Sequence, residues 1–187
     1  MQRTPSQTVG PFFLDALIHA GDEHVANLGA SAHAKTVVIQ GVVYDGEGAA
    51  VSDAFLEIYV SRDAQRNSAA TAELRTGSSL SGFGRAATVN EGAFRFSTQY
   101  PVAGTDAGLQ SAPHLELMIF ARGLLKPLVT RIYFDGDPNN ARDVILNAVP
   151  AARRATLLAI RDAGTSDESW RFDVRLQGKE ETVFFDL

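Results

Sequence analysis

The stretch that most constrains the fold is the longest near-continuous apolar region of the chain, residues 111–134. It contains two segments rich in Leu, Ile, Val and Phe, residues 114–121 and 128–134, which are separated by polar residues, a glycine and a proline. Because such breakers between two apolar runs are typical of a hairpin, we predict two paired strands joined by a wide loop. Both faces of the first strand are largely apolar, which predicts an inner strand covered on both sides.

Two polar residues, His114 and Glu116, stand on one face of that first strand. Residues i and i+2 of a strand have Cα atoms roughly 6–7 Å apart, a spacing that suits two ligands of one metal ion. The alternative is a buried pair that hydrogen-bonds the neighbouring strand or lies at an interface, since unpaired buried polar groups are costly. The other histidines, His19, His24 and His33, have no metal-ligand spacing. The residues alone leave both interpretations open and favour the hydrogen-bonded pair.

Arg122 ends the first apolar strand and stands next to Gly123. A guanidinium binds a carboxylate through two parallel hydrogen bonds, so this position suits recognition of an anionic ligand. The alternative is a salt bridge to an Asp or Glu of the same domain, and the chain alone favours that alternative.

The remaining apolar and alternating segments predict an all-β domain. Further strands are expected at residues 36–45, 54–60, 83–89, 93–98, 169–178 and 181–187. One helix is expected to begin at Pro150, whose fixed φ suits a first helical position, and to end before Gly164. The polar stretch 61–82 is too long for a simple hairpin loop, which indicates a functional or interface loop. About eight short strands with one helix predict a β-sandwich in a single domain, 1–187, with an N-terminal arm over about residues 1–35.

Composition narrows the classes of function. The chain has 187 residues and a net charge of −5 without a basic patch, which argues against a nucleic-acid partner. It has no cysteine, which excludes disulfides and thiolate metal sites. It also lacks an apolar run of about 18 residues, and its N-terminus is polar, so we expect a cytoplasmic protein without a membrane partner.

Six segments, taken in chain order, carry a family resemblance over nearly the whole chain. They are TPSQTVGPFF (4–13), GVVYDGEGAAVSDAFLEIY (41–59), GFGRAATVNEGAFRFST (82–98), APHLELMIFARGLL (112–125), TRIYFDGD (130–137) and RFDVRLQGKEETVFFD (171–186). The opening TPSQT-x-GP, the APH…FARG run and the closing QG…ETVFFD are specific in combination. Together these segments resemble the intradiol ring-cleaving dioxygenases, a family of non-haem iron(III) enzymes of aromatic catabolism.

The resemblance implies a β-sandwich that works in a hetero-oligomer of two related subunits. In such enzymes a catalytic β subunit binds Fe(III) through two tyrosines and two histidines. The complex cleaves 3,4-dihydroxybenzoate with O2 to 3-carboxy-cis,cis-muconate in the β-ketoadipate pathway. The α subunit resembles the β subunit but binds no iron, and the six segments resemble the α type. The expected partners are therefore a β subunit, a small aromatic substrate and O2.

The iron ligands that the resemblance implies are largely replaced at the matched positions. His114 is kept, whereas Glu116 stands in the place of the second histidine. Asn67 and Gly104 stand in the places of the two tyrosines, whose phenolates hold the ferric state in this chemistry. We therefore expect no metal ligand and no catalytic residue in this chain. The expected remnant is a relic pocket formed by Asn67, His114 and Glu116, with Arg122 beside it.

Two further positions belong to this pattern. Ser111 takes the place of an arginine that precedes the histidines in the β subunit. Tyr100 precedes Pro101 close to the second tyrosine position, and whether Tyr100 serves as a shifted ligand stays open.

The resemblance also gives a role to the N-terminal arm. In the family the α arm reaches the β active site, where the Gly-Pro of TPSQT-x-GP walls the substrate pocket. These residues are Gly10 and Pro11 here, and the arginine of FARG, which is associated with substrate binding, is Arg122. We therefore expect Gly10, Pro11 and Arg122 to be substrate-binding residues of the complex.

Two competing interpretations stay open. The first is a self-sufficient intradiol dioxygenase that binds its own iron, against which the residues at positions 67, 104 and 116 argue. The second is a binding or scaffold β-sandwich without an enzymatic role, against which the arm motif argues. Iron content and activity, measured alone and with a β partner, distinguish all three.

Overall fold

The fold is built almost entirely from short strands. It is described from a computed structural model, in which residues 5–10, 12–25, 35–60, 82–89, 91–106, 108–162 and 168–186 are placed. Eleven strands lie within these residues: β1 (Thr36–Tyr44), β2 (Phe55–Val60), β3 (Phe83–Ala87), β4 (Ala93–Gln99), β5 (Gly104–Asp106), β6 (Leu109–Ser111), β7 (His114–Phe120), β8 (Leu128–Phe134), β9 (Leu158–Arg161), β10 (Ser169–Arg171) and β11 (Val174–Arg175). The helices there are α1 (Phe12–Leu17), α2 (Val144–Ala148) and the 3₁₀ helices Pro138–Arg142 and Ala151–Leu157. No helix in this described part of the chain is long and apolar enough to cross a membrane.

Two large sheets, joined along one side by β9, contain nine of these strands, and β5 and β6 form a separate two-stranded sheet. In the first sheet β1 pairs antiparallel with β4 on one side and parallel with β10 and β11 on the other. In the second sheet β7 lies between β2 and β8, antiparallel to both, and β3 forms the edge beyond β2. Because β9 pairs antiparallel with β10 and parallel with β8, the two sheets are continuous. This arrangement confirms the predicted all-β sandwich.

The core consists of inward residues from both sheets, which alternate with outward residues along each strand. Fully burying one apolar side chain of this kind stabilises a fold by roughly 1.5–3 kcal/mol. The largest fully buried apolar side chains of this core are Phe96, Phe134, Ile39, Leu56, Ile58, Leu115, Leu117, Ile119 and Ile132.

The central strand β7 has one buried face and one half-exposed face. Leu115, Leu117 and Ile119 are buried, whereas Glu116 and Met118 stay partly exposed. The prediction that both faces are covered is therefore wrong for the isolated chain. We call the second side of this sheet the outer face. It consists of Phe55, Glu57 and Tyr59 of β2, Phe83 and Arg85 of β3, His114, Glu116, Met118 and Phe120 of β7, and Val129, Arg131 and Tyr133 of β8.

The segment after α1 closes the gap between the edge strands β3 and β4. The backbone N–H of Arg85 donates to the Asp22 carbonyl at 2.8 Å, and that of Val25 donates to the Ser97 carbonyl at 2.8 Å. The N–H of Ser97 donates in return to the Glu23 carbonyl at 3.0 Å. Two sheet edges that would otherwise expose unpaired backbone groups are thereby paired with one short stretch of chain.

The predicted helix beginning at Pro150 is wrong over its second half. A 3₁₀ helix, Ala151–Leu157, follows the proline, but the chain then becomes strand β9. Leu158 and Ala159 pair with Tyr133 and Phe134 of β8, and Ile160 is 62% exposed instead of lying in an apolar helix stripe. Pairing with two strands therefore outweighs the helical spacing of the apolar residues.

The predicted strand 169–178 is interrupted, although its alternation is confirmed. Trp170, Phe172 and Val174 are all buried, but β10 and β11 are separate strands. At the break, the Asp173 carboxylate accepts a hydrogen bond from the Val42 N–H at 3.1 Å, in place of a backbone partner. The predicted strand 181–187 is also wrong, because its described residues form a single bridge, between Phe185 and Val129.

The break brings the backbone at Phe172 against Gly41 so closely that a Cβ on Gly41 would overlap the Phe172 carbonyl oxygen. We predict that Gly41→Ala lowers the free energy of unfolding by about 2–3 kcal/mol, because the backbones of β1 and of residues 172–173 must separate. Denaturant titration followed by the fluorescence of Trp170, the single tryptophan, measures this change.

Gly10→Ala is the matched control, because among the described residues no atom lies within 4 Å of a Cβ built there. Its expected effect is within about 0.5 kcal/mol. Equal stability of the Gly41→Ala and Gly10→Ala variants would contradict the close approach.

Candidate functional site

His114, at the start of β7, has a buried imidazole, of which one nitrogen is hydrogen-bonded and the other, within the described part of the chain, is not. Its Nδ1 lies 2.9 Å from the Ala112 carbonyl oxygen and 3.2 Å from the Ser111 hydroxyl oxygen. Its Nε2 is buried without a hydrogen-bond partner among the described residues. Burial, followed by the positive charge of Arg131, lowers the pKa of His114 below its ordinary value of 6.5. The ring is therefore neutral at pH 7, and donation from Nδ1 to the carbonyl leaves a lone pair on Nε2.

Glu116, two residues further along β7, pairs with a cation and not with His114. Its carboxylate lies 3.5 Å from Nη2 of Arg131, the residue directly opposite Glu116 on the neighbouring strand β8. The predicted contact of Glu116 with the neighbouring strand is therefore present as an ion pair. The predicted burial of Glu116 is wrong, because its side chain is half exposed. A carboxylate that already neutralises an arginine is a poor second ligand for a metal ion at His114.

The positions matched to the family's ligands do converge where the described residues include them. Gly104 of β5 pairs with Ser111 of β6, and the Ser111 hydroxyl reaches His114. Asn67 lies outside the described residues. The fold therefore brings Gly104, Ser111 and His114 together.

Tyr100 lies on the other side of the sheet from this pocket. Its ring packs on Phe134, with centroids 4.4 Å apart, and Phe134 belongs to the core, whereas the neighbouring Tyr133 packs against His114 on the outer face. The Tyr100 hydroxyl donates to Asp137 at 2.9 Å. Burial and Asp137 raise the pKa of the Tyr100 phenol, so it stays protonated. Tyr100 is therefore not placed as a shifted ligand.

The residues present do not fit ferric iron. Among the described residues no group of three or more His, Asp or Glu side chains is arranged to hold a metal ion. The side-chain donors around His114 are its own Nε2, the Ser111 hydroxyl, the paired Glu116 carboxylate, the Tyr133 phenol and the Asp143 carboxylate. The Tyr133 phenol donates to Asp143, and burial raises the pKa of this phenol, so it stays protonated and is not the phenolate that a ferric ion prefers.

A buried carboxylate that the sequence interpretation missed fixes the residues around His114. Asp143 accepts hydrogen bonds from the Ala112 N–H at 2.8 Å, the Leu146 N–H at 2.7 Å and the Tyr133 hydroxyl at 3.1 Å. It caps α2 while fixing the residues on either side of His114's ring. An aspartate directly before an apolar helical segment is a helix-capping signal, so the cap was detectable, whereas its tertiary partners were not.

A second group of candidate residues lies at the other end of β7, where the arm docks. The Thr8 hydroxyl accepts from the Gly123 N–H at 2.8 Å and donates to the Ala121 carbonyl at 3.3 Å. Phe13 packs edge-on against Phe55, with ring centroids 5.5 Å apart. Between arm residues 7–10 and the hairpin loop 124–127 lies a cleft of about 400 Å³.

Gly10 and Arg122 are both exposed at this end of the domain. Gly10 borders the cleft, and Pro11 lies outside the described residues. The Arg122 side chain is 71% exposed and its guanidinium forms an ion pair with Asp53, as the salt-bridge alternative predicted. The seven residues of β7 separate this end from His114 by roughly 20 Å, at about 3.3 Å per residue. The expectation that Arg122 stands beside the relic pocket is therefore wrong, and Arg122 instead shares its end of the sheet with the arm.

Comparisons of sequence and structure point to one group of enzymes. A family model described as dioxygenase matches residues 8–178. The protocatechuate 3,4-dioxygenase alpha chain of Burkholderia cepacia is 40% identical, over 100% of this chain and 98% of that protein. The protocatechuate 3,4-dioxygenase beta chain of the same organism is 29% identical, over 78% of this chain and 66% of that protein.

A solved structure extends the likeness to the fold. The catechol 1,2-dioxygenase from an Acinetobacter species superposes with a TM-score of 0.62 at 16% identity, over 88% of this chain and 60% of that one. At this identity the match concerns the β-sandwich alone.

The buried His114 leads to a pH-dependence of stability. Because folding lowers its pKa, the unfolded chain takes up a proton near pH 6.5 while the folded chain does not, so acid favours unfolding. We predict that the free energy of unfolding falls below that pH and that His114→Asn, which keeps a donor for the Ala112 carbonyl, loses part of this fall. Denaturant titrations between pH 5 and 8 are the measurement, with the exposed His24→Asn as control. Parallel curves for wild type and His114→Asn would contradict the assignment.

Proposed function

The chain belongs to the intradiol dioxygenase family, and from that premise we propose that it is the α subunit of a protocatechuate 3,4-dioxygenase. It acts in a cytoplasmic complex with a β subunit that holds Fe(III). The complex opens the ring of 3,4-dihydroxybenzoate with O2, and both oxygen atoms enter the product, 3-carboxy-cis,cis-muconate. The similarity to an alpha chain extends over the full length of both proteins, which supports the α over the β assignment.

The observation that carries this proposal is the contrast between the two ends of β7. At one end of β7 the donor set around His114 is inadequate for a ferric ion. At the other end, the arm and the exposed Arg122 guanidinium are presented outward. Such a chain supplies walls and charge to a pocket whose metal belongs to another subunit. Gly10 and Pro11 form the apolar wall, and Arg122 binds the substrate carboxylate through charge-assisted hydrogen bonds.

The exposed apolar surface supports a permanent partner. Phe12 of the arm is 81% exposed, and Leu125 of the hairpin loop is 61% exposed. Met118 and Phe120, on the half-exposed outer face of β7, extend this apolar surface toward His114. Aromatic and apolar residues grouped in this way are typical of interfaces between permanent subunits, where their burial drives association.

The direct test is co-expression with a β chain of the protocatechuate 3,4-dioxygenase type. We expect ring-opening activity, followed as O2 consumption with 3,4-dihydroxybenzoate, in the co-purified complex and not in this chain alone. Activity of the chain alone would favour the self-sufficient enzyme. A complex that forms without requiring this chain for activity would favour the scaffold.

Iron content gives a prediction independent of turnover. The purified chain is expected to be colourless and to hold no stoichiometric ferric ion, because glycine replaces a phenolate at position 104 and Glu116 is paired with Arg131. Metal analysis and a visible spectrum of the chain and of the complex test this. A tyrosinate-to-iron charge-transfer band in the isolated chain would contradict the α assignment.

The arm gives a prediction about substrate handling. Among the described residues no atom lies within 4 Å of a Cβ built at Gly10, so the first carbon that Gly10→Val adds meets no contact there. In the complex the added bulk enters the partner's pocket. We predict that kcat/KM falls by about tenfold or more, roughly 1.4 kcal/mol of transition-state stabilisation, with iron content and oligomer size unchanged.

Steady-state kinetics of the reconstituted complex measure this effect. The control is Ala151→Val, which adds the same kind of bulk at an exposed position of a 3₁₀ helix. Unaltered kinetics for Gly10→Val, and for a variant lacking residues 1–11, would mean that the arm is only a tail.

A further inference from the structure

The side chain of Arg122 is held from one direction by Asp53. Asp53 lies in the turn before β2, and its carboxylate contacts Nε of the guanidinium. A guanidinium has five N–H donors in a rigid fork, and a contact on the Nε side leaves terminal donors for a second anion. The Asp53 side chain is 33% exposed and that of Arg122 is 71% exposed, so the guanidinium is presented outward from its support.

The backbone of Arg122 is held from the other direction by Thr8. The single hydroxyl of Thr8 bonds the residues on both sides of Arg122, by accepting from Gly123 N–H and donating to the Ala121 carbonyl. Gly123 takes a φ of +88°, so the chain turns sharply just after the arginine. The arm and the arginine are therefore joined by two hydrogen bonds that flank one residue.

We propose that Asp53 and Thr8 are positioning residues for Arg122, which together fix its guanidinium and the arm as one unit against the partner's substrate pocket. The inference rests on the proposed function, in which Arg122 binds the substrate carboxylate. A free arginine side chain loses much rotamer entropy when it binds, and a guanidinium already held in place loses less. Asp53 supplies this preorganisation through the side chain, and Thr8 supplies it through the backbone.

Loss of either support has a signature that a general structural defect lacks. Asp53→Asn removes the ionic support while it also removes a nearby negative charge, which by itself would favour an anionic ligand. Thr8→Val removes both hydrogen bonds at nearly constant volume, and Thr8→Ser retains the hydroxyl. If positioning outweighs charge, both Asp53→Asn and Thr8→Val weaken binding of carboxylated rings, and Thr8→Ser does not.

The test uses the reconstituted complex and two competitive inhibitors that differ by a carboxylate, 4-hydroxybenzoate and phenol. We expect Asp53→Asn and Thr8→Val each to raise the inhibition constant of 4-hydroxybenzoate threefold or more and to leave the inhibition constant of phenol within twofold. We also expect each variant to raise KM for 3,4-dihydroxybenzoate by a larger factor than it lowers kcat. In an Arg122→Ala background each change is expected to add less than twofold. Glu168→Gln is the matched control, because it removes the charge of another exposed ion pair, with Lys35, at the far end of β1.

Several results would overturn the inference. Equal weakening of both inhibitors would indicate a general structural effect. Tighter binding of 4-hydroxybenzoate to the Asp53→Asn complex would mean that Asp53 only offsets charge. Full additivity with Arg122→Ala would mean that these residues act independently of the arginine. An unaffected Arg122→Ala would remove the carboxylate-binding role itself, while activity that depends on co-expression would leave the subunit assignment standing.

Discussion

The pairing of β9 with both sheets is the constraint on which the rest of the structure depends. Four residues, Leu158–Arg161, pair with β8 on one side and β10 on the other, so the two layers are one continuous hydrogen-bonded surface. Within the described residues, the opposite side, between β3 and β4, is closed by the short segment after α1 and by the bridge between Val89 and Ala93. The core between the sheets is enclosed, because one side is joined by strand pairing and the other side by isolated backbone hydrogen bonds. The outer face then becomes the surface on which a site can be built.

That outer face separates two tasks by position along β7. Around His114 the surroundings are buried and internally bonded, with Asp143 satisfying three donors and Arg131 opposing protonation of the imidazole. Around Arg122 the groups are exposed and supported from behind by Asp53 and Thr8. Low exposure suits the retention of a fold, whereas high exposure suits contact with another molecule. The same strand thus has a buried, internally hydrogen-bonded end at His114 and an exposed, charged end beside Arg122.

Much of the fold could be predicted from local pattern, and the failures have a common cause. Apolar runs identified β1, β7 and β8, and alternation identified the buried positions of β10 and β11, because period-two burial is visible in sequence. The prediction of a helix after Pro150 was wrong because Leu158 pairs with Tyr133 of β8, 25 residues earlier in the chain. The local spacing of apolar residues contains no information about so distant a partner. The break at Phe172 was not predicted for the same reason, because the backbone packs there against Gly41 of β1, a residue far away in the sequence.

The candidate site divides in the same way. The prediction that iron donors are missing at positions 104 and 116 came from residue identities, whereas the ion pair of Glu116 with Arg131 required the register of β7 with β8. The supports of Arg122 come from positions 8 and 53, distant in sequence, and no local motif indicates them. The arm itself is fastened to the domain at Thr8 and Phe13, with a short span between these anchors. Between these anchors, a Cβ added at Gly10 has no atom of the described residues within 4 Å, so this position can vary at little cost to the stability of the sandwich. Under the proposed function, variation here would alter the choice of ring substrate while the fold of the chain stays unchanged.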